Sequence, residues 1–97
     1  MVEVRKTDEF ARWLAGLRDE AAQARIDARI LRLSAGNFGD TKSVGGRVSE
    51  LRVDHGPGYR VYFTRRGLAI VILLCGGDKR TQDRDIKRAQ DMAAKLE

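Results

Sequence analysis

The segment 47-RVSELRVDHGPGYRVYFTRRGLAIVILLC-75 contains three strand-like stretches separated by two turns. Residues 59–66 alternate apolar and mainly polar side chains, which is the period of a half-buried strand. Residues 47–54 alternate in the same way, except that Val48 is out of phase and indicates a bulge or a late start. Residues 68–75 are apolar throughout, which is typical of a central strand covered on both faces. The glycines between these stretches predict tight turns, and together they predict a three-strand antiparallel meander.

The residues before this meander predict one short strand and two helices. Residues 2–6 alternate as a strand, and apolar residues at helical spacing follow capping residues at positions 7–8. A second amphipathic segment begins at Asp19 and ends at Gly36. Two such helices with a short joint predict an antiparallel helical hairpin. The composition of residues 37–46 predicts a loop.

The residues after the meander, 76-GGDKRTQDRDIKRA-89, predict a turn and then a helix over 81–96 with Thr81 as its cap. A turn after a buried strand accounts for the two glycines. It does not account for the adjacent cations Lys79 and Arg80. These two side chains therefore become candidates for function.

These elements predict an α+β domain with the order β-α-α-β-β-β-α. The simplest packing places the helical hairpin on one face of a mainly antiparallel sheet. A chain of 97 residues has room for one core, so residues 1–97 are expected to form a single domain. The N-terminus has no apolar signal region, and the longest apolar run is about half of the roughly 20 residues that a membrane span needs. We therefore expect a cytoplasmic protein without a membrane partner.

Cysteine and histidine usage argues against several classes of site. The chain has one cysteine, Cys75, and one histidine, His55. This rules out a disulfide within the chain and a zinc site built from such ligands. Cys75 ends the apolar run, which predicts a buried and inert thiol, and His55 is expected to be a solvated turn residue. No P-loop, H-E-x-x-H or G-x-S-x-G motif is present, so we expect neither a cofactor nor a metal.

The chain is basic, with a net charge of +5 and a pI near 9.9. Along the sequence the surplus is concentrated in residues 39–75, which include the predicted meander. A basic protein of this size favours RNA, DNA or an acidic protein as partner. The alternative is a basic surface that only keeps the protein soluble.

Strand alternation predicts a polar sheet face opposite the helical hairpin, presenting Glu50, Arg52, Arg60 and Tyr62. Arg52 and Arg60 should lie near each other, because their strands pair through the 55–58 turn. Two adjacent arginines repel unless an acid or an anion lies between them. Glu50 is one candidate for that acid, and a bound phosphate, which guanidinium recognises with two hydrogen bonds, is the other.

This face has the composition of a site for single-stranded RNA. Tyr62 is the candidate for stacking on a base, and Lys79 and Arg80 are expected at the rim of the same face. The further cations Lys42, Arg47 and Arg65 are expected to bind RNA. Arg52, Arg60, Lys79, Arg80 and Tyr62 are the candidate catalytic residues.

The element order, the hairpin "ELRVDHGPGYRVYF" and the ending "LLCGGDKRTQDRDIKRA" resemble the RelE/ParE superfamily of type II toxin–antitoxin toxins. Within it, the resemblance is greatest to the HigB-like, phage-derived addiction module killer proteins. It implies a RelE-like fold and a ribosome-dependent endoribonuclease that cleaves mRNA and inhibits translation. It also implies a cognate antitoxin, a small helix-turn-helix protein. By position, Arg52, Arg60 and Lys79 or Arg80 occupy the places of the family's functional cations.

One feature departs from the pattern of these ribonucleases. Many of them carry a catalytic Tyr or His near the C-terminus, and the last helix of this chain has neither. Tyr62 or Glu50 is then the candidate to accept the proton of the 2′-OH. Two alternatives stay open, a ParE-like inhibitor of DNA gyrase and a basic binding module without catalytic activity.

Overall fold

The computed structural model describes residues 1–96, which form three α-helices and one five-stranded mixed sheet. The elements are β1 (Glu3–Lys6), α1 (Asp8–Ala15), α2 (Glu20–Ser34), β2 (Thr41–Gly45), β3 (Val48–Val53), β4 (Tyr59–Arg66), β5 (Ile70–Asp78), a 3₁₀ turn (Lys79–Thr81) and α3 (Gln82–Lys95). The strands lie in the order β1-β5-β4-β3-β2, with β1 parallel to β5 and the other pairs antiparallel. The predicted α+β class is confirmed. Within residues 1–96 no helix is long and apolar enough to cross a membrane.

Helices cover both faces of this sheet. On one face, α1 and α2 contribute Phe10 and Ile26 to a core that includes Leu51 and Phe63 of the strands. On the other face, α3 packs its alanines against a second core of the described chain, formed with Val48, Tyr62, Ile72, Leu74 and Cys75. The predicted open face is therefore wrong in its middle, because the last helix covers it. Val48 is out of phase with Leu51 and Val53 because its side chain packs in this second core, on the opposite face of the sheet. No bulge in β3 is needed, since its pairing with β4 is regular.

The predicted loop over 37–46 contains the edge strand β2, so the prediction was wrong for residues 41–45. This strand has one partly buried apolar side chain, Val44, and composition therefore gives almost no strand signal. Pairing with β3 holds it in place, and Gln90 of α3 donates a hydrogen bond to the Val44 carbonyl at 3.0 Å. The pairing is local, across the two-residue turn at Gly46 and Arg47, and only the contact with α3 comes from a distant part of the sequence.

The glycine pair at 76–77 belongs to β5 and does not form the predicted turn. The Trp13 ring packs on Gly76 so closely that a Cβ there would lie 2.3 Å from a ring carbon. On the other side of the strand, a Cβ at Gly77 would lie 1.9 Å from Oδ2 of Asp85. Each glycine therefore admits a helix side chain to within contact of the backbone, one on each face of the sheet.

Replacing Gly77 by alanine is expected to destabilise the fold by about 1–3 kcal/mol, because the added methyl group overlaps the buried Asp85 carboxylate. Urea unfolding of both proteins measures this difference. Gly16→Ala is the comparison, since its Cβ would lie 3.3 Å from the Arg12 carbonyl oxygen, a tight contact but not an overlap of the kind expected at Gly77. Equal unfolding midpoints for Gly77→Ala and the wild type would contradict the packing argument.

The helix starts follow the predicted capping residues in two cases of three. Thr7 Oγ1 accepts a hydrogen bond from the Phe10 amide at 3.0 Å, and Asp19 accepts one from the Ala22 amide at 3.1 Å. Thr81 occupies the cap position of α3 without capping it. Its hydroxyl instead donates to Oδ2 of Asp85 at 2.6 Å.

Candidate nucleic-acid interface

Three of the predicted functional cations, Arg52, Arg60 and Lys79, line one cleft of about 360 Å³. The strand register brings Arg52 of β3 directly opposite Arg60 of β4. Lys79 follows the end of β5, where Asp78 pairs with Tyr59. Gly58 lies between Arg60 and Lys79, since a Cβ at Gly58 would be 3.5 Å from both Arg60 Nη1 and Lys79 Cβ. We call this space the arginine cleft.

A buried carboxylate lies between the two arginines of the cleft. Glu50 is fully buried, and its Oε1 accepts a hydrogen bond from Arg52 Nε at 3.0 Å and lies 3.6 Å from Arg60 Nε. Its Oε2 accepts a hydrogen bond from Gln82 at 2.7 Å. The sequence left two explanations for the adjacent arginines, a bridging acid and a bound phosphate. The structure shows the bridging acid, Glu50. Because Glu50 is inaccessible, it orients the arginines and cannot reach a substrate hydroxyl.

This arrangement leaves hydrogen-bond donors available in the cleft. Arg52 donates to Glu50 through Nε alone. Its two Nη groups make no hydrogen bond to any residue within 1–96. Arg60 uses Nη1 to donate to the Tyr59 carbonyl at 3.3 Å. Lys79 is exposed and forms no ion pair with any other described residue. The Nε of Arg60 is buried and has no hydrogen-bond partner among the described residues. The cleft thus offers the two Nη groups of Arg52, the remaining Nη2 of Arg60 and one ammonium group to an anion, which is a phosphate-binding chemistry.

Tyr62 does not take part in this surface, and the prediction that it stacks on a base is wrong. Its side chain is fully buried under α3, and its hydroxyl has no hydrogen-bond partner among the described residues. Burial, reinforced by the negative charge of Glu50, raises the pKa of Tyr62. A phenol in this environment can neither stack on a nucleobase nor accept the proton of the 2′-OH.

The other predicted cations lie outside the arginine cleft. Arg80 pairs with Asp78, its Nη2 lying 2.9 Å from Oδ2, and lines a neighbouring cleft with Lys79. Arg47 and Arg65 line a cavity at the opposite end of the β3–β4 ladder. Lys42 is exposed on the edge strand opposite Glu50. The structure does not bring these last three together with Arg52 and Arg60.

Sequence reasoning missed three contributors to the cleft. Asp40 and Asp54 place carboxylates in its lining, and Gln82 fixes the free oxygen of Glu50. Asp54 directly precedes the predicted turn, and this position was a signal that could have been used. Asp40 lies in a segment predicted as a loop, and Gln82 lies in the first turn of a helix, where polar residues are common. In the sequence, Asp40 and Gln82 therefore look like ordinary polar surface residues, and nothing marks them as part of a site.

Two further predicted residues lie outside the lining of the arginine cleft. His55 lies in the predicted turn but is only partly exposed, because its Nε2 lies 3.0 Å from Oδ2 of Asp19 and ties the 55–58 turn to the start of α2. Cys75 is buried, as predicted, and burial raises its thiol pKa to about 12. No group of three or more His, Cys, Asp or Glu side chains in the described part of the chain is placed to hold a metal ion.

Comparison with known proteins identifies the family of the chain. The family model described as "Phage derived protein Gp49-like (DUF891)" matches residues 12–95. A protein of Haemophilus influenzae, described as "Uncharacterized protein", is 52% identical over 95 residues, covering 98% of this chain and 96% of the relative. The match to the family model includes every element from within α1 to the end of α3. The chain therefore belongs to the Gp49-like family of phage-derived proteins.

Proposed function

We propose that this protein is the toxin of a type II toxin–antitoxin system, of the RelE/ParE superfamily and its HigB-like branch, and that it cleaves mRNA on the ribosome. The observation that carries this proposal is the convergence of Arg52, Arg60 and Lys79 on the arginine cleft. Membership of a phage-derived family is compatible with it. A cleft lined by three cations is suited to a phosphodiester.

Cleavage of RNA by its own 2′-OH needs no metal. The 2′ oxygen forms a bond to the adjacent phosphorus, the bond from phosphorus to the 5′ oxygen breaks, and the products are a 2′,3′-cyclic phosphate and a 5′-hydroxyl. In the proposed mechanism Arg52 and Arg60 bind the non-bridging oxygens, where negative charge accumulates in the transition state. Lys79 donates a proton to the departing 5′ oxygen.

The proton of the 2′-OH requires an acceptor, and we assign it to a carboxylate of the cleft lining. Asp40 and Asp54 line the cleft, whereas Glu50 and Tyr62 are fully buried and cannot reach a substrate. A carboxylate that accepts this proton replaces the Tyr or His that the C-terminal helix lacks. Alignment by the ribosome would let this small site work without further groups.

The partners follow from the same proposal. The ribosome and its mRNA are the target, and a small helix-turn-helix antitoxin, acting in the cytoplasm, silences the toxin. An antitoxin that places acidic side chains over the arginine cleft would satisfy its unpaired donors. Hydrogen exchange of the co-purified complex tests this contact, and a cleft that stays unprotected would exclude direct masking.

The test of the function is mRNA cleavage on programmed ribosomes, with DNA supercoiling by gyrase measured on the same preparation. Cleavage that is lost in the double variant Asp40→Asn/Asp54→Asn, with supercoiling unaffected, is the expected result. Inhibition of gyrase without cleavage would support the ParE-like alternative. A folded protein that affects neither reaction would support a basic binding module.

Lys79→Ala is expected to slow this cleavage by roughly a hundredfold or more, the range for loss of a general acid. Arg80→Ala should change it by less than about threefold, because Arg80 is paired with Asp78 outside the arginine cleft. The two residues are adjacent and both exposed, so each variant controls for the other. Equal losses in the two variants would show that position in the cleft does not decide their roles.

A further inference from the structure

A second group of arginines lies on α2, next to the arginine cleft. Arg25, Arg29 and Arg32 recur at positions i, i+4 and i+7, so they follow one side of the helix. With Val53 and Asp54 they line a groove of about 350 Å³. Asp27 lies on the other side of the helix by the same periodicity, and so leaves this side without a carboxylate of α2.

The α2 groove is continuous with the arginine cleft. Asp54 lines both, and the Arg29 guanidinium donates to the backbone carbonyl of Arg52 and, at 3.3 Å, to that of Phe38. On the other side of the cleft, Lys79 is shared with a third depression of about 540 Å³ at the start of α3. The three depressions form one surface path, which we call the basic track.

The basic track carries more cations than carboxylates. Eight Lys and Arg side chains and three Asp side chains line its three depressions. Three further carboxylates, those of Glu50, Asp78 and Asp85, pair with cations of the track, which leaves a surplus of two positive charges. The arginines of α2 join this surface only in the fold, so a count along the sequence does not reveal their contribution.

The arginines of α2 are not neutralised by the fold. Arg25 and Arg32 are exposed and form no ion pair with another residue of the described chain. Burial and the nearby charge of Arg32 lower the pKa of Arg29. Like charges kept this close are relieved by an extended anion with regularly spaced charges, such as a sugar–phosphate backbone.

We infer that the α2 groove binds the phosphates of the RNA strand on one side of the scissile bond, so that the RNA runs from the arginine cleft into the α2 groove. This inference rests on the proposed function and adds to it a phosphate-binding site made by Arg25, Arg29 and Arg32. These residues hold the substrate outside the reacting centre. Their loss weakens the binding of long substrates and leaves the chemistry of bound RNA intact.

The test uses 2′-O-methyl RNA, which lacks the nucleophile, in lengths of about 4 and about 12 nucleotides, within the range of known single-strand sites. Arg25→Ala/Arg32→Ala should weaken binding of the longer strand roughly tenfold and lower the slope of log K against log salt by about 1.4, for two lost contacts. Binding of the shorter strand should change less than twofold. Lys87→Ala/Lys95→Ala removes the same charge from α3, outside the track, and should leave both affinities within twofold.

An equal loss in the two double variants, or none in the α2 variant, would overturn the inference. Failure of the wild type to bind the longer strand would overturn it as well. Cleavage on programmed ribosomes, measured on the same preparations, keeps the two proposals separate. A wild type that cleaves, with an α2 variant that binds RNA normally, leaves the proposed function standing and removes only the basic track.

Discussion

Arg60→Ala should slow mRNA cleavage on programmed ribosomes by roughly a hundredfold or more, the usual loss when one donor to a charged transition state is removed. Arg60 lines the arginine cleft opposite Arg52, and Glu50 Oε1 accepts a hydrogen bond from Arg52 Nε and lies 3.6 Å from Arg60 Nε. Arg60→Lys should restore little of the rate, because a single ammonium group cannot reproduce the planar fork.

The folding control for this variant is essential. If Arg60 were an exposed strand residue, its replacement would change the free energy of unfolding by no more than about 0.5 kcal/mol. The Arg60 side chain is only 13% exposed, however, and it faces a buried carboxylate. Its removal should therefore cost about 1–3 kcal/mol, and cleavage must be measured where the variant is still folded.

Arg66→Ala is the matched control, because Arg66 is exposed at the other end of the same strand. It should leave cleavage within about twofold of the wild type, as expected for a surface position. An Arg60→Ala protein that is folded and cleaves at the wild-type rate would remove Arg60 from the site. The proposal of a ribonuclease would then lose the residue on which it depends most.

Glu50→Ala should have the largest effect on stability, a loss of about 3–5 kcal/mol in the free energy of unfolding. Glu50 is fully buried and binds Arg52 and Gln82, with Arg60 at 3.6 Å. Without it, Gln82 loses its partner and the two arginines face each other without an anion. Urea or thermal unfolding measures this loss.

Glu3→Ala provides the comparison, because Glu3 also pairs with an arginine, Arg5, but is 56% exposed. It should change stability by less than about 1 kcal/mol, as exposed pairs do. Added phosphate should stabilise Glu50→Ala more than the wild type, since an anion can take the place of the carboxylate. Similar losses for the Glu50 and Glu3 variants would show that the buried bridge does not support the cleft.

The sequence by itself determined the elements whose signals are local. The alternation in 59–66 predicted β4 with the observed bounds, and the apolar run predicted that β5 is covered on both faces. Asp19 was predicted as the start of α2 and caps it. Side-chain period and capping chemistry depend on neighbours within a few residues, so they can be predicted before the fold is known.

The sequence also determined three members of the arginine cleft. Arg52 and Arg60 were placed together by counting outward from one turn. Lys79 and Arg80 were both singled out because a turn does not require them, and the structure places only Lys79 in the cleft. Pairing across a short hairpin is nearly local, so its register follows from the turn. Whether these side chains act on RNA stays a prediction.

Only the tertiary structure decided which surfaces remain exposed. Periodicity places Glu50 and Tyr62 on the face opposite α1 and α2, but it cannot show that α3 returns over that face and buries both. For the strand β2, the pairing to β3 is local, but its contact with Gln90 of α3 comes from a distant part of the chain. Burial depends on the summed packing of elements far apart in the chain, which no local pattern contains.

The glycine pair and the charge distribution show the same division. The sequence suggested a turn at Gly76 and Gly77, whereas the close approach of Trp13 and Asp85 explains why side chains are absent there. The basic track joins residues of α2, β3, β4 and the 79–84 segment, which are separated along the chain. Charges interact through space and not along the sequence, so the fold alone places them on one surface.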